Sequence, residues 1–540
     1  MEEEETFFVR RASGLVRELN WYDIIIWVLA TPAASGMTYY AVKILGDPSV
    51  YGGNLPLAFF IAGLMFLPLV VAFIMIASSF PRTSSLYVVV SRVIHPVIGF
   101  LPFWYFIVGG GAAMASGYLL FIGIKAMSGP LVVSGLASGN QLLINIANSL
   151  TDPTHQLLIA LILVLVIWMI NYTGMKVIKW SVRLLTIIPL VITLVALAVT
   201  ALSGRDAGIS RFDAIYGNGT AEAIMNAALN QTVATSLGIT PLTPNSMLTG
   251  TYNMLLWTIW AWTGMEVVTF VGSEVKNPSR SYMKGYLIGF LGVMILYLLN
   301  AFIIPSTFNY DFLASYSYLK SQYGDVLTNI MHGLPAPDPS VPFFVSLIYP
   351  APIVAILLGF AYFLWYVNTV LPIWIAAVRG FFSLSFDRAL PEKLSEISPR
   401  FSSPTWANHV TAIIAVLGAF LTLLETIGFN LAASAISFMD FSTLLFIWPV
   451  GLSLMILPWW KADMFGKMTF PSKTFTSIIG ALVFAIGWYF MIMTSYTDPS
   501  IVLINILVGL IGLALFTVMI ARNKARGIDP SKIYANIPPA

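Results

Sequence analysis

Two short runs in the sequence hold residues that could bind a polar ligand through their backbone groups. The first is Thr31-Pro-Ala-Ala-Ser-Gly-Met37, where the proline lacks an amide donor and the glycine costs a helix about 1 kcal/mol relative to alanine. The second is Trp260-Ala-Trp-Thr-Gly-Met-Glu266, where a glycine lies close to a carboxylate. Both runs lie in otherwise apolar sequence. A helix interrupted at such a point leaves amides that suit an anion and carbonyls that suit an ammonium group.

Other residues offer little for covalent or metal chemistry. The chain has no cysteine, which excludes disulfides, thiolate metal sites and cysteine nucleophiles. An intramembrane enzyme would need a cluster of acids, bases or metal ligands, and the sequence contains no His-x-Glu or Asp-x-Asp pair. The histidines are dispersed over loops and span ends: His95, His155, His332 and His409. We therefore predict no catalytic residue, no cofactor and no firm metal site, apart from a possible coupling ion.

The composition is that of a membrane protein. Apolar residues make up 58% of the 540 residues and charged residues 9%, whereas soluble domains carry about a quarter charged residues. The net charge of +3 is too small to suggest a nucleic-acid partner, and the oligomeric state stays open. Twelve stretches are apolar and long enough to cross a bilayer as helices. They run roughly over 21–44, 57–80, 97–124, 157–170, 181–202, 253–275, 283–305, 345–382, 407–427, 432–459, 475–494 and 501–521.

Basic residues predict the orientation of these spans. If the N-terminus is cytoplasmic and the spans alternate, few of the 27 lysines and arginines face outward: Lys43, Lys125, Arg205, Arg211 and Lys320. This bias satisfies the positive-inside rule. One span more or fewer would place many of the basic residues on the opposite side of the membrane. We therefore predict a multi-pass protein of the cytoplasmic membrane with twelve helices and both termini cytoplasmic.

The two interrupted runs fall in spans one and six, five helices apart. Paired breaks at this distance are typical of two inverted five-helix repeats with a binding site at the membrane midplane. Taken singly, each break has a plainer explanation, because proline and glycine also give kinks and tight packing, and Glu266 could simply brace a broken helix. The predicted organisation is a cytoplasmic segment at 1–20, a first repeat at 21–202, an extracellular loop at 203–252, a second repeat at 253–459, two helices at 460–521 and a cytoplasmic tail at 522–540.

Four segments at the predicted cytoplasmic ends of the spans combine a turn residue with basic residues. They are Phe80-Pro-Arg82 with Ser91-Arg92, Asn171-Tyr-Thr-Gly174 with Lys176, Glu274-Val-Lys-Asn-Pro-Ser-Arg280, and Arg379 with Phe386-Asp-Arg-Ala-Leu-Pro391. Together with the aromatic-Ala-aromatic-x-Gly pattern of span six, they resemble the amino acid, polyamine and organocation (APC) superfamily of permeases. The resemblance covers most of spans one to nine. It implies an all-α, five-plus-five inverted-repeat transporter that moves amino acids or related organic amines by alternating access.

In that family the substrate carboxylate binds at exposed amides of span one, and its amino group binds at carbonyls of spans one and six. The family's Gly-Ser-Gly core corresponds here to Ala34-Ser35-Gly36, with alanine in place of the first glycine. The resemblance therefore implies a carboxylate site beside Ala34, at Ser35, Gly36 and Met37. It implies an ammonium and side-chain site at Ala33, Trp260, Ala261, Thr263 and Gly264, with Trp262 as an aromatic lid. Both tryptophans could equally be core residues.

The sequence leaves three possibilities for coupling: a sodium ion, a proton, or no ion at all. Many proton-coupled relatives have a lysine inside span five, but the matching position here falls near Pro189. A sodium ion between spans one and eight could use Asn368 and Thr369, although such residues more often make interhelical hydrogen bonds. The candidates for carrying a proton are Glu266, Asp440 and Glu425. We predict ion-coupled symport of a neutral or apolar amino acid; the alternatives are an amino acid exchanger and a five-plus-five carrier for nucleobases or polyamines.

Overall fold

Helices make up the regular structure of the chain. The computed structural model describes residues 8–9, 12–32, 34, 36–429, 438–439, 441–497 and 501–539, and the extended pairing within these ranges is limited to isolated bridges. The α-helices are α1 (Trp21–Ala30), α2 (Leu55–Ser79), α3 (Ser85–Val93), α4 (Pro96–Val108), α5 (Ala113–Gly123), α6 (Ser128–Ser138), α7 (Gln141–Thr151), α8 (Pro153–Tyr172), α9 (Met175–Leu202), α10 (Ala207–Tyr216), α11 (Thr220–Leu229), α12 (Gln231–Ser236), α13 (Met247–Trp260), α14 (Pro278–Phe308), α15 (Tyr310–Gln322), α16 (Gly324–Ile330), α17 (Val341–Ile348), α18 (Pro352–Phe386), α19 (Thr405–Thr426), α20 (Ile447–Trp460), α21 (Ala462–Phe465), α22 (Lys473–Thr497), α23 (Ile501–Ala525) and α24 (Pro530–Ala535).

Within the described ranges, 10 helical segments are long and apolar enough to cross a membrane. They coincide with ten of the twelve predicted spans, and the two without such a segment are spans one and six. The third span is composite, because α4, α5 and α6 follow one another closely. The eighth begins at Pro352 rather than at the predicted residue 345, since Pro350 and Pro352 separate it from α17.

Both predicted interruptions are confirmed. In span one, α1 ends at Ala30, and the chain resumes as a π-helical turn over Gly36–Tyr40 and a 3₁₀ turn over Lys43–Gly46. In span six, α13 ends at Trp260 and is followed by 3₁₀ segments over Met265–Phe270 and Gly272–Glu274. Gly264 has φ +109°, a left-handed conformation that favours glycine and stops α13 from continuing.

The predicted extracellular loop at 203–252 is largely helical. It contains α10, α11, α12 and the start of α13, with α10 packed against α17 and α11 packed against α15. The ring of Phe212 in α10 lies 4.9 Å from that of Phe312 and 6.1 Å from that of Tyr316, both in α15, between ring centroids. These apolar contacts explain why short polar segments fold into helices that isolated peptides of this length would not hold.

The two ends of the described chain meet at the same end of the helix bundle. Leu19 pairs with Val275 in a parallel bridge just before α14. On the same end, the Nε of Arg82 donates to the carbonyl of Pro538 at 2.6 Å, and the Nε of Arg92 donates to the carbonyl of Asn536 at 3.1 Å. This arrangement agrees with an even number of membrane crossings.

Helix α14 packs closely on α1 through glycines. A Cβ atom on Gly285 would collide with Ile24, and one on Gly289 would meet Val28 at 2.6 Å. Small residues at such spacing let membrane helices approach closely without a hydrophobic driving force.

Replacing Gly289 with leucine should therefore lower the free energy of unfolding by about 1–3 kcal/mol, as overpacking does in tight cores. The measurement is thermal unfolding of the purified protein in detergent. The control is Ile295→Leu on the exposed side of α14, which should leave the midpoint unchanged. Equal stability of the Gly289 variant and the wild type would contradict this packing.

Candidate functional site

The interruptions of spans one and six lie against each other. A Cβ atom on Gly264 would lie 3.0 Å from the Cβ of Thr31, so the two backbones are in near contact. The hydroxyl of Tyr297 in α14 reaches the carbonyl oxygen of Pro32 in span one and that of Ala261 in span six, the latter at 2.5 Å. The structure thus brings together the two runs that the sequence singled out.

Helix α14 supplies donors to carbonyls that the interruptions leave without helical partners. Such groups must be satisfied inside a membrane protein, because lipid offers no hydrogen bonds. The four donor residues are four, eleven and three positions apart, which places them on one face of the helix. The bonds run from Tyr282 to Val268, from Tyr286 to Met265, from Tyr297 to Pro32 and Ala261, and from Asn300 to Met37.

Sequence reasoning missed this face of α14. The signal was present: Tyr282, Tyr286, Tyr297 and Asn300 are hydrogen-bonding residues at helical spacing in an otherwise apolar span. Tyrosines in a membrane helix are usually interpreted as core or interface residues. Their role here depends on the backbone carbonyls of the interrupted runs, which lie elsewhere in the sequence. The partners become visible only in the folded bundle.

Glu266 braces the interruption in span six. Its two carboxylate oxygens accept the amide of Gly264 at 3.1 and 2.9 Å, and the side chain is buried. Among the residues that the structure describes, no ion pair joins it to a basic side chain. Thr263 satisfies a further carbonyl, donating to Trp260 at 2.8 Å. In this structure Glu266 therefore stabilises the broken helix, which is the plainer of the two roles that the sequence suggested for it.

The predicted carboxylate site is partly visible. Ala34 and Met37 are buried, and a Cβ atom on Gly36 would collide with the ring of Tyr297. Ala33 and Ser35 lie outside the described residues. The interruption therefore needs a glycine at position 36 to admit the Tyr297 ring.

The two tryptophans of span six differ in environment. Trp262 is fully buried, and its ring lies 5.0 Å from Phe290 and 5.3 Å from Tyr297, between centroids. This is the packing of a core side chain. Trp260 is only partly buried, as are Thr263 and Gly264.

The predicted ion-coupling residues fall in separate places. Asn368 in α18 donates to the hydroxyl of Thr186 in α9 at 3.0 Å, the interhelical bond that was its plainer explanation. Thr369 instead donates to the carbonyl of Ala30, the last residue of α1, at 3.0 Å. Asp440 lies outside the described residues, and Glu425 is half-buried near the end of α19. Within the described ranges, no cluster of three or more metal-binding side chains occurs.

Buried ion pairs close the end of the bundle where the chain termini meet. The guanidinium of Arg379 holds both oxygens of Glu274 at 2.8 and 2.7 Å. The guanidinium of Arg92 binds Asp387 in the same bidentate way, and Tyr87 adds a bond to that carboxylate at 2.8 Å. All of these side chains are almost completely buried. The motif residues thus join parts of the chain that are 105 positions apart in the first pair and 295 in the second.

A second set of charges ties the N-terminal segment to α9. Lys179 bonds Glu18 at 2.9 Å, and Arg183 bonds Asp23 at 2.7 Å. The hydrogen bond from Lys179 lowers the pKa of Glu18 below its ordinary value. These pairs fix the entry of α1 beside α9, at the opposite end of α1 from the interruption.

A bundle of apolar helices with two touching interruptions defines a multi-pass membrane protein of the transporter class. The chain matches the sequence model of a family described as amino acid permease over residues 19–516. The match spans nearly the whole chain, so the protein belongs to the amino acid permeases of the APC superfamily, as its motifs predicted. This family suggests transport of amino acids or related compounds. No curated protein sequence matches the chain.

Replacing Gly36 or Gly264 with leucine should abolish uptake while leaving membrane insertion intact. At position 36 the side chain meets Tyr297, and at position 264 it meets Thr31 in a backbone conformation that disfavours side chains. The measurement is radiolabelled amino acid uptake into proteoliposomes with matched protein content. The control is Gly324→Leu, where an added Cβ meets nothing. Wild-type uptake by both site variants would contradict the site.

Replacing Glu274 with glutamine should destabilise the protein strongly, because it leaves the buried Arg379 guanidinium without its counter-charge. Loss of one partner of a buried pair costs about 3–5 kcal/mol. The control is Glu392→Gln, whose pairs with Arg388 and Arg526 are partly exposed and should cost less than about 1 kcal/mol. The measurement is unfolding by sodium dodecyl sulfate in mixed micelles. Similar losses in both variants would show that burial of the first pair is unimportant.

Proposed function

We propose that this permease is a secondary transporter that carries neutral amino acids across the cytoplasmic membrane by alternating access, in symport with an ion. The observation that carries the proposal is the contact between the two interrupted helices. An amino acid zwitterion needs a set of donors and a set of acceptors within a few ångströms. Two broken helix ends that face each other offer both sets through the backbone.

The donors would come from span one. Among the described residues, helical structure resumes at Ala34, ahead of the π-helical turn over Gly36–Tyr40, and the first amides of a helical segment have no partner within that segment. Their aligned dipoles favour an anion at this end. The amides of Gly36 and Met37 are therefore assigned to the substrate carboxylate, together with those of Ala34 and Ser35.

The acceptors would come from the end of α13. The carbonyls of Trp260 and Ala261 lie at the negative end of this helix, where a positive charge is favoured. The ammonium would replace the Thr263 and Tyr297 hydroxyls that now donate to them. Thr263 and Gly264 border the same turn and are partly exposed. Ala33 is assigned to the same acceptor set from the side of span one.

The side chain of the substrate would be neutral. The one carboxylate in these two runs belongs to Glu266, and it is already bonded to the Gly264 amide. Met37 and Trp262 bring apolar surface to the interruptions. A basic side chain would have to compete with the Gly264 amide for this single carboxylate.

Alternating access would proceed by opening the end closed by the buried ion pairs. Arg92 belongs to the predicted first repeat and Asp387 to the second, so relative motion of the repeats must break this pair. Twelve crossings, an inverted repeat and cytoplasmic termini follow from the same proposal. The distribution of basic residues and the meeting of the chain ends support them.

The coupling ion would be sodium bound between α1 and α18. The carbonyls at the C-terminal end of a helix attract a cation. The Thr369 hydroxyl lies 3.0 Å from the carbonyl oxygen of Ala30, the last residue of α1. Asn368 would orient α18 through Thr186 and would not touch the ion. The unpaired carboxyl of Glu266 is the alternative carrier, for a proton.

Uptake by the reconstituted protein should fall at least several-fold when choline replaces sodium and should persist when the proton gradient is collapsed. Thr369→Val removes the hydroxyl at constant shape and should abolish the sodium dependence. Thr369→Ser, which keeps the oxygen, should retain it.

A dependence on the proton gradient that Glu266→Gln removes would replace sodium with a proton. Indifference to both gradients would contradict symport and point to exchange. Preference for nucleobases or polyamines over amino acids in the same assay would contradict the proposed substrate class.

A further inference from the structure

One hydroxyl group joins the two interrupted helices. The Tyr297 hydroxyl lies within hydrogen-bonding distance of the Pro32 carbonyl from span one and of the Ala261 carbonyl from span six. A tyrosine hydroxyl has one hydrogen and can donate to one acceptor at a time. The hydroxyl can therefore donate fully to only one of these two buried carbonyls at a time.

Packing holds this hydroxyl in place. The ring of Tyr297 lies against the backbone of Gly36, where any side chain would collide with it. Trp262 meets the ring edge-on with centroids 5.3 Å apart, and Phe59 lies 5.3 Å away on α2. The ring is enclosed on several sides, so the hydroxyl position is a built feature of the site.

We infer that Tyr297 determines specificity for the amino group, because its hydroxyl occupies the carbonyl pair in place of the substrate ammonium. This inference rests on the proposed function. An ammonium group carries a charge and three hydrogens, and its bonds to carbonyls are stronger than those of a neutral hydroxyl. An amino acid can therefore take over a carbonyl from Tyr297. A carboxylic acid that lacks the amino group cannot.

The inference predicts an unusual effect of Tyr297→Phe. Without the hydroxyl, the two carbonyls lose this donor in the empty protein, and the ammonium binds them without competition from it. The affinity gained from the amino group should then increase. We expect the ratio of the affinity for L-leucine to that for isocaproate, its deaminated analogue, to rise roughly tenfold over the wild type. This is the gain expected when the ammonium pairs with a buried carbonyl that otherwise has no donor from Tyr297.

The experiment is isothermal titration of the full-length protein in detergent with each of the two probes. The matched control is Tyr282→Phe, which removes a similar hydroxyl from the Val268 carbonyl on the same face of α14, four residues beyond Gly264. Both variants should lower the unfolding midpoint. Only Tyr297→Phe should change the affinity ratio. If the phenylalanine variant does not fold, Tyr297→Met tests the same loss with a side chain that repacks easily.

An unchanged ratio would show that the Tyr297 hydroxyl is structural and would overturn the inference. A lower ratio would also overturn it, because the hydroxyl would then bind the ammonium directly. Failure of the proposed function has a different signature: the folded wild-type protein binds no amino acid at all, and the inference falls with it.

Discussion

The structure depends on one constraint, which is that backbone groups inside a membrane must find hydrogen-bond partners within the protein. Continuous helices meet it by themselves, and eight of the ten long apolar segments in the described chain are continuous. Spans one and six are not continuous, because Pro32 and Gly264 end their helices in apolar sequence. The freed carbonyls are instead served by α14, whose tyrosines and Asn300 donate to them. The proposed binding site lies where two of these carbonyls share one hydroxyl.

The buried charged residues have a different function, which is to fix how the helices are arranged at one end of the bundle. Glu274 with Arg379 and Asp387 with Arg92 form fully buried, bidentate pairs at one end of the bundle. Such pairs contribute little net stability, since desolvation offsets most of their attraction, but they fix a particular arrangement of the elements they join. That property suits a closed gate, which must be specific and must also be able to open.

Local features made much of this architecture predictable. Hydropathy located ten of the spans. The proline and glycines of two runs located the interruptions, because these residues act on their own backbone. The role of Tyr297 was not predictable in the same way, since it depends on carbonyls more than 30 and more than 200 positions away. For the same reason, Asn368 and Thr369 read as one oxygen site in sequence, although they face α9 and α1 respectively. The helices of the 203–252 segment were missed because contacts with distant aromatic rings, and not their own sequence, stabilise them.

The central claim is that the two interruptions bind the amino acid through their backbone. The most direct test is an experimental structure of the full-length protein with L-leucine bound. We expect the carboxylate within hydrogen-bonding distance of the amides at 36 and 37, and the ammonium at the carbonyls at 260 and 261. Bound leucine at any other place in the bundle, with both interruptions empty, would contradict the account.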